Sequence, residues 1–146
     1  MKRRGFGLIT AIIIMMTVAI LMSLMIGLSS STVKQTSNLF IKEQARLYLR
    51  SATEFALLAI SGHDNSSDCI KDITINFDDN KYKANVNIWY MGKGIPASCN
   101  SNIIDKTVQT IGSNYTVIMD VIVEANQTKF GLSEPIKLYR RTLQKP

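Results

Sequence analysis

From Phe6 to Leu28 the chain runs without a single charged side chain, dominated by Ile, Leu, Met and Val. About 20 such residues in a helix cross the hydrocarbon of a bilayer, so the stretch predicts a membrane-spanning helix. Its polar positions, Gly7, Thr10, Thr17, Ser23 and Gly27, are small or hydroxylated and spread along the run. Residues of that kind let helices approach closely inside lipid, which suits the segment to packing on other helices. After Ser30 the composition turns polar while a helical period persists. Tyr48, Ala52, Phe55, Ala56 and Ala59 recur at three- and four-residue spacing and predict one apolar face against a core. Arg50 and Glu54 stand as an i, i+4 pair, and Lys42, Arg46 and Arg50 form a basic stripe. Gly62, followed by His63, Asp64 and Asn65, ends the pattern. One helix is therefore expected, with a membrane half at 6–28 and a continuation at 29–61.

Past that point the period drops to two. Ile73, Ile75 and Phe77 alternate with polar residues, Asp78 to Lys81 supply turn chemistry, and Tyr82, Ala84, Val86, Ile88 and Tyr90 alternate again. That pattern predicts a hairpin. Tyr115 to Val123 gives a third strand, and Ile136 to Thr142, behind Pro135, a short fourth. Asn102 to Ile111 stays open, because Ile103, Ile104, Val108 and Ile111 also suit a short helix. Neither the helix nor the sheet can hide its apolar side alone, so the expected fold is α+β: a long N-terminal helix packed on a small antiparallel sheet formed within 62–146.

The net charge of +6 changes this picture little. Lys2, Arg3 and Arg4 supply three of the 17 cations, leaving 14 cations against 11 acids beyond them. No dense basic patch interleaved with aromatics follows, so no nucleic acid is expected as partner. The leading cations also set orientation, since the positive-inside rule holds a short basic N-terminus in the cytoplasm and sends the remainder across. A secretory signal peptide starts the same way, but its apolar core runs about 7–15 residues and ends at a small-residue site. The serines at 29–31 are the place where such cleavage would fall.

Catalytic and metal chemistry find little support. His63 is the one histidine, set in a polar loop. Asp64, Ser66 and Asp68 resemble the start of a calcium loop, yet Ile75 occupies the place of its bidentate glutamate. No phosphate-binding glycine loop occurs, a lone histidine and two cysteines cannot complete a zinc site, and no cofactor and no enzyme activity are expected. Cys69 and Cys99, in an exported domain, favour a disulfide that closes the loop between them. Such a link contributes about 3–4 kcal/mol in the chain-entropy view. Two free buried thiols are the alternative. Asn65, Asn114 and Asn126 each begin an Asn-x-Ser/Thr acceptor, and only Asn126 has an acid, Glu124, two residues upstream, as in the extended acceptor of bacterial N-glycosylation. Trp89 falls on the strand face opposite Ile88 and Tyr90, either as an exposed contact or as a covered aromatic.

Lys2-Arg3-Arg4-Gly5-Phe6, placed directly before the apolar run, resembles the class III leader of type IV pilins and pseudopilins. The likeness covers the leader and the helical stretch that follows it, and no more of the chain. It implies that a prepilin peptidase removes residues 1–5 after Gly5 and methylates the new N-terminal Phe6. It implies partners too: the inner membrane, and other pilin or pseudopilin subunits docked through the N-terminal helix. Most of that family carries a glutamate at the fifth residue after the cut, where this chain has Thr10. A hydroxyl accepts a hydrogen bond from an ammonium group but cannot neutralise it, and an unpaired ion at that depth is costly. The resemblance thus implies a minor subunit of a type IV pilus or type II secretion system, acting in assembly, priming or at the tip. Gly27 falls where many relatives have a helix-loosening proline. The basic stripe is then either a solvated face or a contact for acidic groups on filament neighbours. The competing reading is an uncleaved single-pass protein whose periplasmic domain binds a ligand and never polymerises.

Overall fold

A computed structural model describes residues 4–64, 68–99, 102–109 and 111–146. The chain divides into two compact units, Met1–Phe40 and Ile41–Pro146. The first is helical throughout its described residues, as the beginning of α1 (Arg4–Gly62). Its large apolar side chains are exposed on every side, from Leu8 through Met16 to Leu28. Thr10 and Thr17 donate their hydroxyls to the carbonyls of Gly7 and Ile14, at 3.0 and 2.9 Å, and Thr32 bonds Leu28 in the same way. Hydroxyls that bond their own helix leave no polar hydrogen for lipid to meet. The helix continues unbroken past Gly27; glycine costs a helix only about 1 kcal/mol and removes no hydrogen bond, as proline would.

The second unit opens with the last turns of α1 and continues with β1 (Asp72–Phe77), β2 (Tyr82–Met91), β3 (Ile103–Asp105), β4 (Thr116–Ala125), the one-turn α2 (Gln127–Phe130) and β5 (Lys137–Gln144). The strands form one sheet in the order β1-β2-β4-β5, antiparallel throughout, with β3 added alongside β2 in parallel. This is the expected α+β fold. Within the stretch left open from Asn102 to Ile111, Ile103–Asp105 forms β3, because Tyr90 and Gly92 donate their amides to the carbonyls of Asn102 and Asp105, both at 2.8 Å. The Asp78–Lys81 turn works as its residues suggest: Asp78, Asp79 and Asn80 all take left-handed φ values of 48–63°, a region that short polar side chains tolerate. The chain beyond Met91 is held by Gly94, where an added Cβ would lie 2.4 Å from the Asn114 carbonyl that accepts its amide.

Ile41, Ala45, Leu49, Ala52, Ala56 and Ile60 of α1 are buried together with Tyr82, Ala84, Val86, Ile88 and Tyr90 of β2 and with Val117, Met119, Val121 and Val123 of β4. Three fully buried alanines give the sheet close access to the helix backbone. Phe55 lies outside this stripe and is 54% exposed, contrary to the expected face. At about 100° per residue it projects a quarter turn or more away from Ala56. Tyr48 is half-buried as part of an aromatic chain, stacked on Phe77 at 4.5 Å and tilted on Tyr82 at 4.9 Å, while Tyr82 meets Phe130 at 5.2 Å. Glu43 pairs with Arg46 at 2.7 Å; among the described residues no pair joins Arg50 and Glu54.

Candidate functional site

The leader residues Lys2 and Arg3 lie outside the described residues. Gly5 and Phe6 fall in the first turns of α1, and Thr10 follows one turn later in the same helix. The Thr10 hydroxyl is engaged by the Gly7 carbonyl. What this region offers is surface: an uncharged helix, apolar around its circumference, with the Thr10 and Thr17 hydroxyls turned onto its own backbone. Among the described residues, α1 is the one helix long and apolar enough to cross a membrane.

Cys69 and Cys99 are joined by a disulfide, with Cα atoms 5.1 Å apart, and both are buried in the core. The link ties the entry of β1 to the loop after β2. Beside it the Asp68 carboxylate accepts the Cys69 amide at 2.7 Å, and His63 Nε2 lies 3.1 Å from the Asp68 carbonyl. Ser66, the middle member of the Asp64-Ser66-Asp68 pattern, lies outside the described residues, as does Asn65. Among the described residues no three His, Cys, Asp or Glu side chains are gathered as they would be around a metal.

Asn126 sits outside the disulfide region as the N-cap of α2, accepting the amides of Thr128 and Lys129 at 3.0 and 3.3 Å. Its acceptor segment is thus a capped helical turn. An N-cap asparagine satisfies amides that the helix leaves without partners. The Asn114 carbonyl accepts the Gly94 amide at 2.9 Å.

The outer face of the sheet holds what sequence reasoning missed. Cross-strand register places Asn87, Asp120 and Arg141 in one row and Trp89, Ile118 and Leu143 in the next. Asp120 is buried on this face and takes a bidentate pair of bonds from Arg141, at 2.6 and 2.7 Å, with a third from the Tyr139 hydroxyl at 2.7 Å. The Arg141 hydrogen bonds, opposed by desolvation and aided by Tyr139, hold the Asp120 carboxyl below the usual carboxylate range. The same bond to Asp120 pushes the Tyr139 phenol up. On the inner face, burial raises the Tyr90 phenol to about 12, and its hydroxyl donates to the Ile70 carbonyl at 2.8 Å. Trp89 is 37% exposed, so it is a surface residue beside Ile118 and Leu143. Only period-two alternation marks these positions in the sequence; their partners depend on register between strands far apart along the chain.

Compared with models of protein families, with curated proteins and with solved structures, the chain matches none.

Proposed function

We propose that the chain is a minor pilin or pseudopilin subunit of a bacterial type IV pilus or type II secretion system, acting in filament assembly, in priming or at the tip. The observation that carries this reading is α1 itself. It begins at Arg4 within the basic stretch that ends at Gly5-Phe6, presents apolar side chains on all sides for its first unit, and then turns one alanine-rich face into the core of a disulfide-linked sheet. In this mechanism the bilayer stores the subunit by its uncharged helix, with the N-terminus cytoplasmic and the sheet unit periplasmic. A prepilin peptidase trims the chain after Gly5 and methylates Phe6, and contacts with sister helices then replace contacts with lipid. Thr10, hydrogen-bonded to Gly7, offers no charge for a neighbour's N-terminal amine, which fits a subunit with none ahead of it. The protein works by assembling, not by catalysis.

Intact-mass analysis in cells that contain the peptidase tests the proposal. The wild-type product should begin at methylated Phe6, and Gly5→Leu should retain its leader. A Gly5→Leu chain with the same mass as the wild-type product overturns the processing step, and a wild-type chain that keeps residues 1–5 favours the uncleaved membrane anchor with a ligand-binding periplasmic domain.

A further inference from the structure

Within the second unit, the late turns of α1 and the edge of β5 border a groove of about 520 Å³. Arg46 and Arg50 line it from the helix and Arg140 from the strand, with Leu47 and Leu138 as apolar walls. All three arginines are exposed. The one acid of the groove, Glu43, is already engaged by Arg46, and among the described residues neither Arg50 nor Arg140 has an ion-pair partner. Three guanidinium groups therefore face a single, occupied carboxylate.

The strand beside them is unfinished. β5 pairs with β4 and is the last strand in the sheet order, so every second residue points its amide and carbonyl away from β4 at an open edge. An extended peptide laid there gains main-chain hydrogen bonds, and its alternate side chains fall on the side shared by Leu138, Arg140 and Thr142. Guanidinium forks match carboxylates in that position. The same cations repel the corresponding edge of another copy, which would bring its own Arg140 against this one. A phosphate polymer would meet the arginines but would use neither the open backbone edge nor the leucine walls.

We propose that this groove receives an extended acidic segment of a partner protein, added to β5 as a further strand, with carboxylates at alternate positions resting on Arg46, Arg50 and Arg140. The inference goes beyond the filament reading and holds whether or not the chain polymerises.

The test uses the full chain in non-ionic detergent and a fluorescent peptide of alternating glutamate and valine, followed by anisotropy. The peptide should bind, and its amide partners in β5 should exchange hydrogen more slowly. Combining Arg46→Gln, Arg50→Gln and Arg140→Gln, all at exposed positions, should weaken binding at least about ten-fold, while Lys93→Gln with Lys106→Gln, also exposed, should leave it unchanged. Proline at the central valines should weaken it comparably, because proline cannot donate to the ladder. Equal binding by the proline peptide would reduce the interaction to charge alone and overturn strand addition. Indifference to the arginine substitutions, or tighter binding of an oligothymidylate that depends on the same arginines, would overturn the choice of occupant.

Discussion

Met16 and Met119 are the same residue in opposite circumstances. The first stands 66% exposed on the helical first unit, and the second is fully buried between the sheet and α1 in the second. The contrast holds for the units as wholes: one shows its apolar side chains in every direction, whereas the other builds a buried core between one helix face and one sheet face. A helix that is apolar all round lacks a buried face of its own and needs lipid or other helices as its surroundings. A helix with an apolar stripe is completed by a sheet from its own chain. Stability of the second unit should therefore be insensitive to the first unit's side chains, and matched substitutions give the sharpest separation.

The largest expected effect is Met119→Ala, which removes buried methylene and sulfur contacts and leaves a cavity, at a cost of about 3 kcal/mol. Met16→Ala should shift the thermal unfolding of the sheet unit hardly at all. Circular dichroism of the full chain in detergent measures both. Equal shifts for the two would erase the distinction between the units.

Ala52→Leu tests the covered stripe from the other direction. Ala52 is completely buried, and leucine there must push the helix off the sheet or force strained rotamers, costing about 2 kcal/mol. Phe55→Ala, three residues later on an exposed position, should be nearly neutral in the same melt. Both the expected and the observed face contain Ala52, so Phe55 decides between them: a Phe55→Ala as destabilising as Ala52→Leu would mean that the face expected from spacing meets the sheet.

The error at Phe55 shows where sequence pattern loses resolution. Three- and four-residue spacing admits it to the apolar face, yet the buried apolar positions step by four, four, three, four and four from Ile41 to Ile60, and small alanines hold the centre. The hairpin was legible because Asp78, Asp79 and Asn80 carry their own turn geometry, and the disulfide because two cysteines in a domain read as exported favour pairing over free thiols. β3 was not, since so short a strand has no period to measure and its structure is set by amides on β2. The Asp120 cluster, and the arrival of Arg140 beside the legible Arg46-Arg50 stripe, were beyond reach for a related reason. Each joins residues whose proximity exists only after strand register, or the docking of helix on sheet, has been decided. Local chemistry can be read along a chain; coincidences between distant segments need the fold.

The smallest effect sharpens the comparison through charge. The first unit has no charged side chain between Arg4 and Lys34, whereas the second seats a carboxylate in its sheet at Asp120. Its folded pKa is depressed, chiefly by the Arg141 hydrogen bonds, so its contribution to stability is fully present above the unfolded value of about 3.9. That contribution is lost as pH falls from there through the lower folded value, where the native state must accept a proton it resists. Asp120→Asn should cost about 1 kcal/mol at neutral pH, near the low end for bonds to charged groups because Arg141 remains open to water. It should also flatten the fall in stability below about pH 4, since the substituted chain has no proton to take up at this position. Urea melts at pH 7 and pH 3 measure both effects, and the difference between wild type and variant should shrink toward zero at the lower pH. A difference that stays constant across the two conditions would assign the effect of Asp120 to shape and packing, and would remove electrostatics from what separates the sheet from the uncharged helix.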